Sequence, residues 1–144
     1  MRDLLPKNSS IYARHLIGRV RHLMLLARQK ELTSYDITPN QFNVLQILYK
    51  LGHHATLAEL SIYCYRGISN LSTQVTKMEK VGLVKKFRES PTSHLLTVEL
   101  TKKGLDCYQK TKDIRSAKLI MSVLSEEERQ YLISILKKII DKNE

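Results

Sequence analysis

Three short patterns, each a Thr or Ser followed three residues later by Glu or Gln, set where helices can begin in this chain. Thr38 with Gln41, Thr56 with Glu59 and Ser125 with Glu128 are capping boxes, in which two side chains satisfy the N–H groups that a helix entrance leaves without partners. Pro39 follows Thr38 at a helical position where its missing N–H costs nothing, and Ile37 is placed to staple onto Phe42. The helix that begins there turns Phe42, Val44, Leu45 and Leu48 inward and stops near Gly52, a left-handed cap position. A short helix then runs from Thr56 through Leu57, Leu60 and Ile62 to about Tyr65, and Gly67 permits a tight turn. The next helix spans about Ser69 to Val81, with Leu71, Val75 and Met78 on one stripe, and Gly82 ends it.

On the N-terminal side, Ile11, Leu16, Val20, Leu23, Leu26 and Ala27 recur near a 3.6 period, which predicts a long amphipathic helix from Ser10 to about Leu32. After Gly82 the period drops to two. Leu83 to Arg88 and Leu96 to Leu100 alternate as strands joined by residues 89–93, a hairpin. Thr101 caps a helix read as continuous from Lys102 to about Val123, with a polar middle from Lys110 to Lys118. The last helix starts at the Ser125 box, carries its acids where the helix dipole favours them, and ends among Lys137, Lys138 and Lys142. Four helices, a hairpin and two helices fit one domain in 144 residues, and no internal repeat suggests a solenoid.

A short capped helix, a turn, a second helix and a basic hairpin form the layout of a winged helix-turn-helix. The chain's 24 Lys and Arg against 14 Asp and Glu, a formal charge of +10, would draw a polyanion. The helix after the turn offers Ser69, Asn70, Ser72, Thr73, Thr76 and Lys77 as groove-facing candidates. Asn70 and Gln74 have the chemistry to read adenine, while Ser72, Thr73 and Thr76 suit phosphates. Lys85, Lys86 and Arg88 on the hairpin would neutralise phosphates. The same residues also fit a solvated helix face and a strand edge guarded against aggregation. Beside a sequence-specific binder, a protein-interaction module and a sequence-neutral DNA binder therefore stay open.

Other chemistries find less support. His15 and His22 lie seven apart and His53 and His54 share a turn, without a second ligand pair at zinc spacing, so no metal or cofactor is expected. Nothing resembles a nucleophile elbow, a phosphate-cradling Gly loop or paired catalytic carboxylates, so an enzyme is not expected. Cys64 and Cys107 read as buried thiols of a reducing compartment, with oxidant sensing the minor alternative. No signal peptide or apolar span interrupts the pattern, and the expectation is a cytoplasmic protein with no membrane partner.

The segments ITPNQFNVLQIL at 37–48, TLAEL at 56–60, NLSTQVTKMEKVGLVKK at 70–86 and VELTKKG at 98–104 resemble, in order and spacing, the multiple antibiotic resistance regulator (MarR) family of bacterial repressors. The resemblance covers almost the whole chain. It implies a mainly α, winged helix-turn-helix fold with a two-stranded β wing over a DNA-binding lobe at 34–100, and long dimerisation helices at 1–33 and 101–144. It also implies a homodimer on pseudo-palindromic double-stranded DNA, commonly a repressor relieved by a small-molecule effector or an oxidant. In such a family the effector would enter a cleft beside the first and fifth helices, where Tyr12, His15, Arg19 and Tyr108 are candidate ligand residues; each also has a second reading, in the dimer core or at its rim. The wing departs from the family. Its tip, Glu89 to His94, lacks the usual Asp and Arg pair and leaves Arg88 or His94 as the substitutes for minor-groove insertion.

Overall fold

The computed structural model describes residues 8–144 and divides them into two units. One comprises residues 29–113 and the other residues 8–28 with 114–144. The first seven residues of the expected 1–33 segment lie outside the described residues.

The larger unit begins at the end of α1 (Ser10–Leu32) and continues through a single 3-10 turn at Thr33–Tyr35. It then holds α2 (Pro39–Lys50), β1 (His54–Thr56), α3 (Leu57–Tyr63), α4 (Ile68–Lys80), β2 (Val84–Phe87), β3 (Thr97–Leu100) and α5 (Lys102–Thr111). Both expected capping boxes of this unit form. Thr38 Oγ1 accepts the Gln41 N–H at 3.2 Å while Gln41 Oε1 accepts the Thr38 N–H at 3.0 Å. Glu59 Oε2 accepts the Thr56 N–H at 2.7 Å, and that bond with the Thr56 hydroxyl holds the Glu59 carboxyl below its usual range. Phe42, Val44, Leu45 and Leu48 of α2, Leu60 of α3 and Leu71, Val75 and Met78 of α4 are buried together with Val84 and Val98, the core that the helical spacing predicts.

The expected two-stranded wing is part of a three-stranded antiparallel sheet in the order β1-β3-β2, with Ala55 opposite Val98 and Lys86 opposite Val98 from the other side. His54 therefore sits in a strand and not in a turn. Three residues squeezed between a helix end and a helix cap are too few to show an alternating pattern.

Three helices of this unit end in the same closure, in which the residue after the cap takes a left-handed conformation and the next N–H reaches back to a carbonyl of the last turn. Gly52 and Gly82 fill that position after α2 and α4, with φ of 82° and 79°. After α3 it is filled by Tyr65 at φ 52°, where the Arg66 N–H donates to the Ser61 carbonyl at 3.1 Å. The turn expected at Gly67 is thus made by Tyr65, and Gly67 has an ordinary extended backbone, φ −61° and ψ 145°.

The start of α5 is stitched to the α4–β2 turn. The Thr101 Oγ1 accepts the Gly104 N–H at 3.0 Å as the cap, and the same hydroxyl lies 2.5 Å from the Gly82 carbonyl and 3.0 Å from that of Leu83. Gly104 then rides directly over Leu83, so that a Cβ at this position would stand 2.0 Å from the Leu83 carbonyl oxygen.

The single helix expected from Lys102 to Val123 is two helices, α5 and α6 (Arg115–Met121), separated where Ile114 takes φ −90° and ψ 75°. The Thr111 hydroxyl donates back to the Cys107 carbonyl at 2.7 Å, and the polar residues after it provide no apolar stripe to hold another turn.

In the smaller unit, Ser9 Oγ accepts the Tyr12 N–H at the head of α1, and the Ser125 box opens α7 (Glu126–Asp141), Ser125 Oγ accepting the Glu128 N–H at 3.1 Å. α6 and α7 bury none of their residues. No helix among the described residues is long and apolar enough to cross a membrane.

Gly104→Ala should destabilise the fold by about 1 to 3 kcal/mol or more, because the clash is with backbone. Gly67→Ala, with nothing within 4 Å of the added carbon, should stay within about 0.5 kcal/mol. Urea denaturation midpoints of the two variants check both expectations.

Candidate nucleic-acid interface

Helix α4 is held by one stripe and presents the opposite one. Leu71, Val75 and Met78 are buried, and Ser69, Asn70, Thr73, Lys77 and Lys80 are exposed. At 100° per residue Ser69, Thr73 and Lys80 point away from the buried stripe, with Lys77 and Asn70 on one flank. Lys80 belongs to this face although the sequence-based set omits it; its position seven residues after Thr73 was the available signal. Ser72 is half-buried on the other flank, where its carbonyl accepts the Thr76 hydroxyl at 2.9 Å. The entrance of α4 is uncapped by any side chain, since Gly67 is its N-cap, and the positive end of the helix dipole opens beside Ser69 and Asn70. Arg66, in the turn before it, donates to Asn40 Oδ1 at 2.6 Å and braces the turn against the start of α2.

The hairpin cations divide into three environments. Lys85 is exposed and stands opposite Glu99 in the ladder. Arg88 is exposed but its guanidinium donates to the Ser93 carbonyl at 2.9 Å, closing the base of the wing loop, which turns through the Ser93 N–H on the Ser90 carbonyl; His94 is exposed in that loop. Lys86 faces α4. Its ammonium donates to Thr76 Oγ1 at 2.9 Å and lies 3.9 Å from Glu79 Oε1, while its backbone N–H donates to Glu79 Oε2 at 2.7 Å. Thr76 and Lys86, both candidates for DNA contact from sequence, direct their polar atoms at each other.

The candidate ligand residues fall in different units. Tyr12 and His15 stack along α1 with ring centroids 6.5 Å apart, and His15 and Arg19 line a shallow groove of about 370 Å³ on that helix together with Arg14 and His22. Tyr108 belongs to the unit of residues 29–113, where it is buried between Phe42, at 6.0 Å, and Tyr49, at 4.6 Å. Cys64 and Cys107 are free thiols; burial pushes both above the usual thiol range and outweighs the opposing pull of Arg66 on the first and of Lys103 and Lys110 on the second. No cluster of three His, Cys, Asp or Glu side chains among the described residues is arranged to hold a metal ion.

Residues 37–90, which contain the helix-turn-helix and the start of the wing, match the family model of the MarR family. An uncharacterized HTH-type transcriptional regulator of Bacillus subtilis, YsmB, is 33% identical over 88 residues, which span 59% of this chain and 60% of that protein. The match thus covers less than two thirds of that relative's own length. Among solved structures, the organohalide-sensing transcriptional regulator RdhR, in its 2,4-dichlorophenol-bound form, is 25% identical with a TM-score of 0.82, covering 99% of this chain and 89% of that one. A mutant MarR from E. coli complexed with operator DNA is 22% identical with a TM-score of 0.84, covering 96% and 99%. The fold is that of the winged-helix regulators.

The left-handed conformation of Tyr65 is costly for a residue with a Cβ, so Tyr65→Gly should raise stability by roughly 1 kcal/mol, less the entropy glycine adds to the unfolded chain. A lower thermal midpoint for this variant would show that the ring, 84% exposed, contributes more than its backbone costs.

Proposed function

We propose that this chain, whose residues 37–90 match the MarR family, is a transcriptional regulator that binds duplex DNA by sequence as a homodimer. The observation that carries the reading is the division of α4 into a buried stripe and an exposed stripe of small polar and cationic side chains, uncapped at its entrance and flanked by a basic wing. In this reading the α4 entrance enters the major groove. Ser69, Asn70, Thr73 and Lys77 lie at base edges, Lys80 near the groove wall, and Lys85, Arg88 and His94 at the phosphate backbone. The family is one of transcriptional regulators and not of enzymes, and the E. coli relative bound to operator DNA supports the same mode of action here.

Dimerisation is supported by the surface of the smaller unit. Ile17, Val20 and Leu23 of α1, Leu119 and Val123 around α6, and Tyr131, Ile135 and Ile139 of α7 are exposed in the single chain, more apolar side chains than a solvated surface ordinarily gathers. A second copy covering them would make a two-fold dimer that carries two α4 helices, and a two-fold reader requires a pseudo-palindromic site. The regulator is read as a repressor relieved by a small molecule. The dichlorophenol bound to RdhR supports an aromatic effector, for which Tyr12, His15 and Arg19 are the candidate contacts on α1.

Selection from random duplexes at about 150 mM salt, where non-specific attraction is weak, should enrich a pseudo-palindrome. Asn70→Ala should then lose roughly 1 to 3 kcal/mol on the best site and alter the preferred base, whereas Lys85→Ala should weaken all duplexes alike and lower the salt slope by about one per contact. An unenriched pool would overturn the sequence-specific reading in favour of sequence-neutral or protein binding. A monomer in light scattering at micromolar concentration would overturn the dimer.

A further inference from the structure

β2 is an edge strand, paired only with β3, so alternate amides along it point away from the sheet and need partners elsewhere. The Lys86 amide finds one in α4. Glu79 Oε2 accepts it at 2.7 Å, and one turn earlier on the same helix Thr76 Oγ1 accepts the Lys86 ammonium at 2.9 Å while donating its own proton to the Ser72 carbonyl. Two side chains of α4, three residues apart, thus grip one residue of the wing at both its backbone and its side-chain end. We propose that Glu79 is a positioning residue for DNA recognition, a clasp that sets the height and register of the wing over α4, and that Lys86 is an internal strut and not a phosphate ligand. The proposal rests on the DNA-binding function argued above.

Charge alone gives the opposite expectation. Glu79 is an acid on a lobe that binds a polyanion, and its removal would raise the local positive potential and tighten binding to any duplex. If Glu79 instead holds the wing where its other cations meet the backbone, its removal weakens binding to the preferred site. The two accounts therefore differ in sign.

The test compares wild type, Glu79→Gln, Glu79→Ala and Lys86→Met, all as full chains, by fluorescence anisotropy on the selected duplex and on a random duplex over a series of salt concentrations. Exchange of the Lys86 amide is followed by NMR in parallel. Glu79→Ala should lose about tenfold or more on the selected duplex, bind the random duplex no more weakly, and lose protection of the Lys86 amide while Leu71 and Val75 stay protected. Glu79→Gln keeps a carbonyl acceptor for that amide and should remain within about threefold of wild type. Lys86→Met should leave the salt slope unchanged. Glu79→Ala binding the selected duplex as tightly as wild type, or Lys86→Met lowering the slope by about one, overturns the clasp. A wild-type chain that does not distinguish the two duplexes overturns the DNA-recognition reading itself, and the clasp falls with it.

Discussion

The carbonyl of Leu83 is the point at which the unit of residues 29–113 is tied together. It faces the Thr101 hydroxyl and the backbone of Gly104, so the turn that ends α4, the strand that begins the wing and the entrance of α5 share one junction. A side chain larger than hydrogen at position 104 would open that junction and shift the wing relative to α4. Because an interior packed near crystal density deforms little, a displacement there would be passed on to the exposed face of α4 without attenuation. The segment VELTKKG is thus a mechanical element, in which the cap and the glycine do separate jobs three residues apart.

Around that junction the lobe puts geometry ahead of charge. Several of its cations are committed within the fold: Lys86 to α4, Arg66 to α2, Lys103 to the Val81 carbonyl. A net charge of +10 therefore overstates the number of groups free to neutralise phosphate, and the shape of the wing depends on some of the residues that a charge count would place on DNA. Lys77, Lys80 and Lys85 are exposed to solvent on α4 and β2.

The features legible in the sequence are those encoded within one turn of helix. Capping boxes at Thr38, Thr56 and Ser125 and the stripe Leu71, Val75, Met78 could be read because each partner lies three or four residues away. Two features that escaped reading depend on residues further apart than a helical turn. β1 exists because β3, some forty residues later, supplies its partner, and the grip of Glu79 on Lys86 crosses a turn whose geometry no local pattern announces. The break before α6 is local, a Thr111 hydroxyl turned back on its own helix before a polar run. The misplaced turn at Gly67 has another cause. Glycine is the usual occupant of a left-handed position, and a tyrosine at that position is a choice that residue statistics argue against.

The two units also differ in what keeps them folded. α6 is seven residues long, and α7, like α6, has no buried residue of its own, whereas isolated helices of such lengths are marginal in water. Whatever surface covers them supplies the free energy that holds them helical. If a second copy is that cover, as proposed above, order in this part of the chain depends on concentration, while the larger unit carries its own core. Dilution would then erode the terminal helices first, which would make the abundance of the chain itself an input to its state.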